Sequence, residues 1–275
     1  MQPGAKLVRS PPARTIWRPV TARPTLSIVI PAYNEAARLP DTLARLDAYF
    51  AGREPEIIVV DDGSSDGTAE LARRGVPDRT PPTVLAFPEN RGKGAAVRAG
   101  VAVSTGELVL YMDADLATDI AGLDEFLKLL DDYDVVVGSR AVPGATVHNT
   151  TRLRTVMGRT FNRLVRMLTR LEVHDSQCGY KAFRGDAGRM TFSLSTVDGF
   201  AFDPEVLMIA RALGLTVTEV PVDWTAVDGS SVRPMRDSLV TGLALVRVVW
   251  RVRPRRVRDR ARVLGWTPAA PAGKS

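Results

Sequence analysis

Two aspartates one residue apart, Asp113 and Asp115, close the apolar run Leu108–Val109–Leu110–Tyr111–Met112. Read as a buried strand, this run alternates its side chains between two faces, so the two carboxylates point the same way. They lie at the strand's carboxyl end, where open α/β sheets bind their ligands. Two carboxylates on one face can hold a divalent cation, and their hard oxygens suit Mg2+ or Mn2+. A lone Asp-x-Asp is also an ordinary polar strand end, so the reading depends on what the rest of the chain brings beside it.

Other apolar runs end in the same manner. Glu56–Val60 runs into Asp61–Asp62–Gly63–Ser64–Ser65–Asp66–Gly67–Thr68, a polar turn that opens a helix. Val84–Phe87 leads to Arg91–Gly92–Lys93–Gly94 and another helix start. In a parallel sheet these loops share one edge, so Asp61, Asp62, Lys93, Asp113 and Asp115 converge. Such a set fits a nucleoside diphosphate: a carboxylate for base or ribose, a glycine-flanked lysine for phosphate or base, and a metal to neutralise a departing diphosphate. No Gly-x-Gly-x-x-Gly follows the first strand, against a dinucleotide cofactor, and no Walker-type Gly-x-x-x-x-Gly-Lys-Ser/Thr occurs, against a P-loop NTPase.

The elements that must position these residues read as follows. Leu26–Ile30 is a first strand stopped by Pro31, followed by the loop Pro31–Glu35 and a helix from about Asp41 to Phe50. Strands over Glu56–Val60, Val84–Phe87 and Leu108–Met112 alternate with helices, and Gly122–Leu130 is helical before the strand Asp134–Gly138. This order predicts a Rossmann-like, doubly wound, mostly parallel α/β sheet with flanking helices. Beyond Arg140 the pattern predicts a loop over Pro143–Thr150 and a long helix over Leu153–Leu171. That helix turns Val156, Phe161, Leu164, Val165 and Leu168 to a core, with Arg152 just before it and Arg154, Arg159, Arg163, Arg166 and Arg170 on its other sides. His174–Phe183 is a polar-aromatic stretch. A helix reaching Ala212, a strand Leu215–Val220 and a last helix from Met235 to Trp250 follow. The expected domains are a flexible Pro/Arg-rich tail (1–24), a catalytic domain (25–234) with a nucleotide-binding half (25–140) and an acceptor-binding half (141–234), and an amphipathic helix with a basic tail (235–275).

The chain has 275 residues, 45% of them apolar, and a net charge of +6, with much of the excess at its ends. That supports a globular core and allows a nucleic acid, an anionic lipid or a phosphorylated ligand as partner. With no zinc-finger spacing, no RNA-recognition signature and no aromatic-basic interleaving, nucleic acid is the weakest of these. No apolar run approaches the roughly 20 residues of a membrane span. The one cysteine, Cys178, can form no internal disulfide, which fits a reducing compartment.

Four motifs, Ile28–Glu35, Val59–Thr68, Arg91–Gly94 and Asp113–Ala114–Asp115, together resemble the family 2 glycosyltransferases of the GT-A fold. Asp113–Thr118, Gly138–Ser139–Arg140 and Asp175–Lys181 are similar to the branch that makes dolichyl- or polyprenyl-phosphate β-glucose. The resemblance implies a uridine pocket lined by Pro31, Ala32, Tyr33 and Glu35, with Asp62, and Asp61 beside it, on base or ribose. It implies Lys93 facing the nucleotide, Asp113 and Ala114 at the ribose or sugar, and Asp113 with Asp115 at the metal. Arg140 would meet a phosphate, and Asp175, Gln177 and Lys181 belong to the catalytic and acceptor region. The implied activity is inverting transfer of glucose from UDP-glucose to a polyprenyl phosphate, by a peripheral protein on the cytoplasmic side of a membrane, with Mg2+ or Mn2+ and a UDP-sugar.

Plainer readings stand beside these. Tyr33 can pack on the sheet, Asp66 can brace a turn, Lys93 can be a solvated helix start and Asp175 can cap a turn. Cys178 reads as a packed small residue, and His148 and His174 as loop residues. Asp203, before Pro204, fits a helix cap or a base. A hydroxyl acceptor needs a base; a lipid phosphate is already an anion and needs positive charge instead. Leu239, Leu243, Val246 and Trp250 share a helical face, with Arg236, Arg247 and Arg251 on another. This helix anchors on an anionic membrane or a membrane partner, or packs on the domain ahead of a disordered tail. Other donors (mannose, N-acetylgalactosamine), a hydroxyl acceptor, or a non-catalytic nucleotide-sugar-binding protein are the rival functions.

Overall fold

Burial on both faces dictates the centre of the molecule. The computed structural model describes residues 25–227 and 234–266, apart from the side chains of 152–154 and 234–240. The expected tail (1–24), the side chains of Arg152, Arg154, Arg236 and Leu239, and the last residues (267–275) lie outside this description. Strands β1 (Leu26–Ala32), β2 (Glu56–Asp61), β3 (Thr83–Ala86), β4 (Leu108–Met112), β5 (Val135–Ser139), β7 (Tyr180–Arg184) and β8 (Val217–Pro221) form one sheet in the order β3-β2-β1-β4-β7-β5-β8. All its pairings are parallel except those of β7, which runs antiparallel to both β4 and β5. Two short strands, β6 (Thr146–His148) and β9 (Asp223–Thr225), pair beside it.

The strands are almost wholly apolar because helices cover both faces. Ile28 and Ile30 of β1, with Leu110 and Met112 of β4, pack under helices α1 (Leu39–Phe50), α2 (Thr68–Arg74) and α4 (Leu123–Lys128). Val29, Val109 and Tyr111 face the other way, onto α3 (Lys93–Val103), α6 (Gly185–Leu194) and α7 (Phe202–Leu213). The chain is thus doubly wound, and sequence parity decides which helix layer each residue meets. Gly100 lets α3 lie close to the sheet, since a Cβ there would come 2.4 Å from Val29 Cγ1.

Several expectations are corrected. Pro31 does not stop β1, which runs on to Ala32. The Ala32 carbonyl accepts from the Asp62 amide on the β2 side, so Pro31 turns its nitrogen toward β4, whose pairing with β1 has ended at Val29. A residue without an N–H is harmless there. The polar-aromatic stretch contains strand β7, and α6 follows it. Leu153–Leu171 is helix α5 (Arg152–Thr169), but Val156 and Leu164 are exposed rather than core residues; Val165 is buried. The last long helix is α8 (Pro234–Arg251). The basic segment after it, expected as a basic tail, contains helix α9 (Pro254–Val263), started by Pro254. Val257 and Ala261, four apart, bury against α7, and Arg258 Nε donates to the Ala212 carbonyl at 2.9 Å. Both halves of the expected catalytic domain share the sheet, and α9 belongs to the same body.

Candidate active site

The carboxyl ends of β1, β2 and β4 carry the first set of groups. Asp113 and Asp115 follow β4 on the side of Tyr111, while Ala114 between them packs into the opposite core. The Thr42 hydroxyl of α1 donates to the Ala114 carbonyl at 2.6 Å, which pins this turn from below. Leu116 takes φ 49°, and the Ala117 amide donates to Asp115 Oδ1 at 3.0 Å. Gly179 lies against the other side: a Cβ on it would stand 2.2 Å from Asp113 Oδ2. Only glycine allows the loop before β7 to close on the acidic pair.

Lys93, at the start of α3, places Nζ 2.5 Å from Asp113 Oδ1. Burial alone would depress its ammonium, but Asp113 and then Asp203 outweigh burial and hold it above the ordinary lysine range. Asp115 titrates above the usual carboxylate range, through burial and the neighbouring Asp113 charge. Glu35 is likewise raised by burial, against its ion pair with Arg38 at 2.6 Å, and it feels both aspartates.

The turn at β2 is a brace. Asp62 accepts from the amides of Arg91 (2.7 Å) and Gly92 (2.8 Å), one on each oxygen, and so holds the Lys93 loop. The sequence expectation places Asp62 at base or ribose; each of its oxygens accepts one amide here and keeps a further lone pair. Asp61, also buried, accepts from the Ser64 amide through Oδ1 at 3.3 Å, leaving Oδ2 for a ligand. Asp66 is a turn residue, binding the amides of Ala36 and Thr68. Asn34, at φ 56°, accepts from the Ser65 amide. These bonds fix Pro31–Glu35 and leave Tyr33 exposed at the rim rather than packed on the sheet.

The second set lies across the acidic pair. Arg140, after β5, donates through Nε and Nη2 to the two oxygens of buried Asp175 at 2.7 and 3.0 Å, and its amide donates to the same carboxylate. Burial would raise the Asp175 carboxyl, but the Arg140 guanidinium outweighs it and holds the carboxyl below the usual range. Asn162 of α5 also donates to Asp175, and Trp224 of β9 stacks on Arg140 at 5.2 Å. Sequence reasoning missed Asn162 and Trp224. It also missed Glu219, which accepts from the amides of His174 and Asp175. Gln177 is half-buried and has no protein hydrogen bond among the described residues, so its amide is open to a ligand.

Lys181 departs most from expectation. It is fully enclosed, with Nζ 2.5 Å from Asp203 Oδ1 and 2.6 Å from the Cys178 carbonyl. Tyr111 donates to the same Asp203 oxygen at 2.5 Å. A lysine held there does not touch an acceptor, and Asp203 is not poised as a base. Cys178 is packed and its thiol is pushed up to about 12 by burial. His148 and His174 pair with Asp223 and Glu219 at the surface.

The residues present fit a divalent cation. Two carboxylates stand side by side, half-exposed, and burial together with the neighbouring Asp113 charge raises Asp115. Among the described residues no three acidic, His or Cys groups converge into a full cage. That is the pattern of a cation held by one or two carboxylates and completed by substrate phosphates.

The glycosyl transferase family 2 model matches residues 27–188. A dolichyl-phosphate beta-glucosyltransferase of Homo sapiens is 34% identical over 251 residues, 84% of this chain and 76% of that protein. One of Trichomonas vaginalis is 39% identical over 236 residues, 81% of this chain and 69% of that protein. Among solved structures, glucosyl-3-phosphoglycerate synthase of Mycobacterium tuberculosis, in complex with Mn2+, UDP-glucose and phosphoglyceric acid, aligns with TM-score 0.64. It is 19% identical and the match covers 87% of this chain and 85% of that one, a likeness of fold. The motifs at the sheet edge, the GT-A architecture and these relatives agree: the chain belongs to glycosyl transferase family 2.

Proposed function

We propose that the protein transfers glucose from UDP-glucose to a dolichyl- or polyprenyl-phosphate, with inversion at the anomeric carbon. The observation that carries this reading is the state of its carboxylates opposite the acidic pair. Asp175 and Asp203, the two bases a hydroxyl acceptor would call on, are both buried in ion pairs. What is available there is positive: Arg140 keeps Nη1 unpaired, and α5 presents Arg159 and Arg163 outward on the helix that reaches Asp175 through Asn162. An anionic acceptor needs positioning and no base.

In this reading Tyr33 stacks on the uracil and Asp61 Oδ2 accepts from base or ribose. Asp113 and Asp115 would hold Mg2+ or Mn2+, which supplies charge neutralisation for the departing diphosphate. Lys93 adds a second positive charge to the same side. An oxygen of the lipid phosphate forms the new bond to C1 as the bond from C1 to the UDP oxygen breaks. UDP leaves with the electron pair, and no proton need be removed from the acceptor. In this reading Gln177, two residues from the Gly179 that lies against Asp113, hydrogen-bonds a sugar hydroxyl.

A lipid acceptor calls for membrane contact. No helix among the described residues is long and apolar enough to cross a bilayer. Instead α5 and α8 pack together and each leaves apolar side chains exposed: Met167 on one, Leu243, Val246 and Trp250 on the other. Exposed arginines flank them, as in interfacial helices on anionic lipid. The single thiol fits the reducing, cytoplasmic side.

The test is a donor screen with purified protein, Mn2+ or Mg2+, polyprenyl phosphate and, in turn, UDP-glucose, UDP-N-acetylgalactosamine and GDP-mannose, read by mass spectrometry. A glucosyl phosphate lipid, absent with Asp115→Ala, is the expected product. Product only from a hydroxyl acceptor would overturn the mechanism and leave the family standing.

A further inference from the structure

A second cavity, of about 490 Å³, opens between the end of α6, the first turns of α7 and the bend from α8 to α9. Its wall includes none of the acidic pair, Lys93 or Arg140. Three arginines line it: Arg251 at the end of α8, and Arg256 and Arg260 on α9. Arg251 donates to the Thr196 hydroxyl at 2.8 Å. The side chains of Arg256 and Arg260 have no hydrogen bond or ion pair among the described residues. They stand four apart on one helix face, an arrangement of like charges that disfavours a helix unless something neutralises it.

The one acid in the wall does not do so. Glu205 is buried and already accepts from the amides of Thr196 and Val197 and from the Thr196 hydroxyl, at 2.8–2.9 Å. The floor is apolar, from Ile209 and Val257. A cavity with surplus guanidinium charge over an apolar floor suits an anion that offers several oxygens to planar forks. We infer that this cavity is a binding site for a phosphate or phosphate-ester group, separate from the active site. It adjoins that site through one loop: Thr196 is in its wall, while the Asp198 carbonyl two residues on accepts from the amides of Gly94 and Ala95 beside Lys93. The inference does not depend on which sugar or acceptor the enzyme uses.

The experiment is calorimetric titration of the full chain, in EDTA so that no divalent cation bridges a phosphate to the acidic pair. The probes are inorganic phosphate and dihexanoyl phosphatidic acid below its micelle concentration. A saturable binding component is expected that Arg256→Gln/Arg260→Gln weakens about tenfold or more, beside any binding of the phosphate at Arg140. The charge-matched control Arg255→Gln/Arg262→Gln, exposed positions outside the cavity, should change it by less than about twofold. Equal binding of both probes identifies the free anion as sufficient, and tighter binding of the acylated probe identifies an ester that uses the apolar floor. Equal loss in the two double variants, or no saturable binding of either probe, overturns the site.

Discussion

Lys181 Nζ and Asp203 Oδ1 lie 2.5 Å apart among Tyr111, Phe183 and Phe202, and the lysine has no surface open to solvent. A strand residue of β7 is thereby tied to the first turn of α7. Breaking a buried pair leaves one charge uncompensated, which costs about 3–5 kcal/mol. Lys181→Met and Asp203→Asn are each expected to lower unfolding free energy by about that amount in urea titrations. If Asp203 were instead a general base, Asp203→Asn would fold with unchanged stability and lose only turnover.

Asp115 behaves differently because it is half-open and held by a backbone bond. Asp115→Ala removes one carboxylate oxygen bond, to the Ala117 amide, and no ion pair. Turnover is expected to fall on the order of 10²-fold or more, with the melting temperature little changed. EDTA should abolish turnover of the wild type, and excess Mn2+ should restore it. Full activity in EDTA would exclude the cation from the reaction.

Much of this site could be read in the sequence, and the rest fails for physical reasons. The parity of Asp113 and Asp115 follows from the alternation of Val109 and Tyr111 against Leu110 and Met112, which separate into the two cores. Local pattern suffices there because both faces are buried. It does not suffice for β7, whose Lys181 makes Tyr180–Arg184 look like a polar loop. That lysine is buried only because Asp203, 22 positions on, neutralises it. Asp62 similarly reads only as a ligand, whereas the Arg91 and Gly92 amides, 29 and 30 positions away, also make it a brace. Helix α9 hides for another reason: arginine dominates it, and Val257 and Ala261 alone mark a buried face.

The Arg140–Asp175 pair makes stability depend on acid pH. Asp175 has a folded value below the ordinary carboxylate range, so it binds its proton less readily folded than unfolded. Its contribution is complete above the ordinary value of about 3.9 and is lost as pH falls from there through the lower folded value. Asp175→Asn should cost roughly 1–3 kcal/mol at pH 7, less than a fully enclosed pair because Arg140 keeps some solvent contact. The gap between variant and wild type should shrink toward pH 3 in urea titrations. A gap independent of pH would assign the loss to packing.

Cys178 offers a probe of the same loop. Its thiol, pushed up to about 12 and buried, supplies almost no thiolate at pH 8. Reaction with a disulfide reagent at pH 8 should be roughly 10³-fold slower than for a free thiol in the native protein, and rapid in denaturant. Cys178→Ala should retain turnover. Fast labelling of the native protein would mean that the Gln177–Gly179 loop opens away from Asp113.

Membrane contact is tested on α8, where one face is committed to the core and the other is not. Leu245 and Val248 are buried, while Leu243 and Trp250 are about two-thirds exposed. Leu243→Ser/Trp250→Ser should therefore leave the melting temperature within about 2 °C, since exposed positions rarely move stability by more than ~0.5 kcal/mol. Burying a large apolar side chain in the interface contributes roughly 1.5–3 kcal/mol, so partition onto vesicles containing phosphatidylserine should weaken by a factor of about ten or more. Turnover on a polyprenyl phosphate in vesicles should fall with it, whereas a short-chain, water-soluble acceptor phosphate should be used as well as by the wild type. Undiminished partition in the double variant would move the anchor off this face of α8.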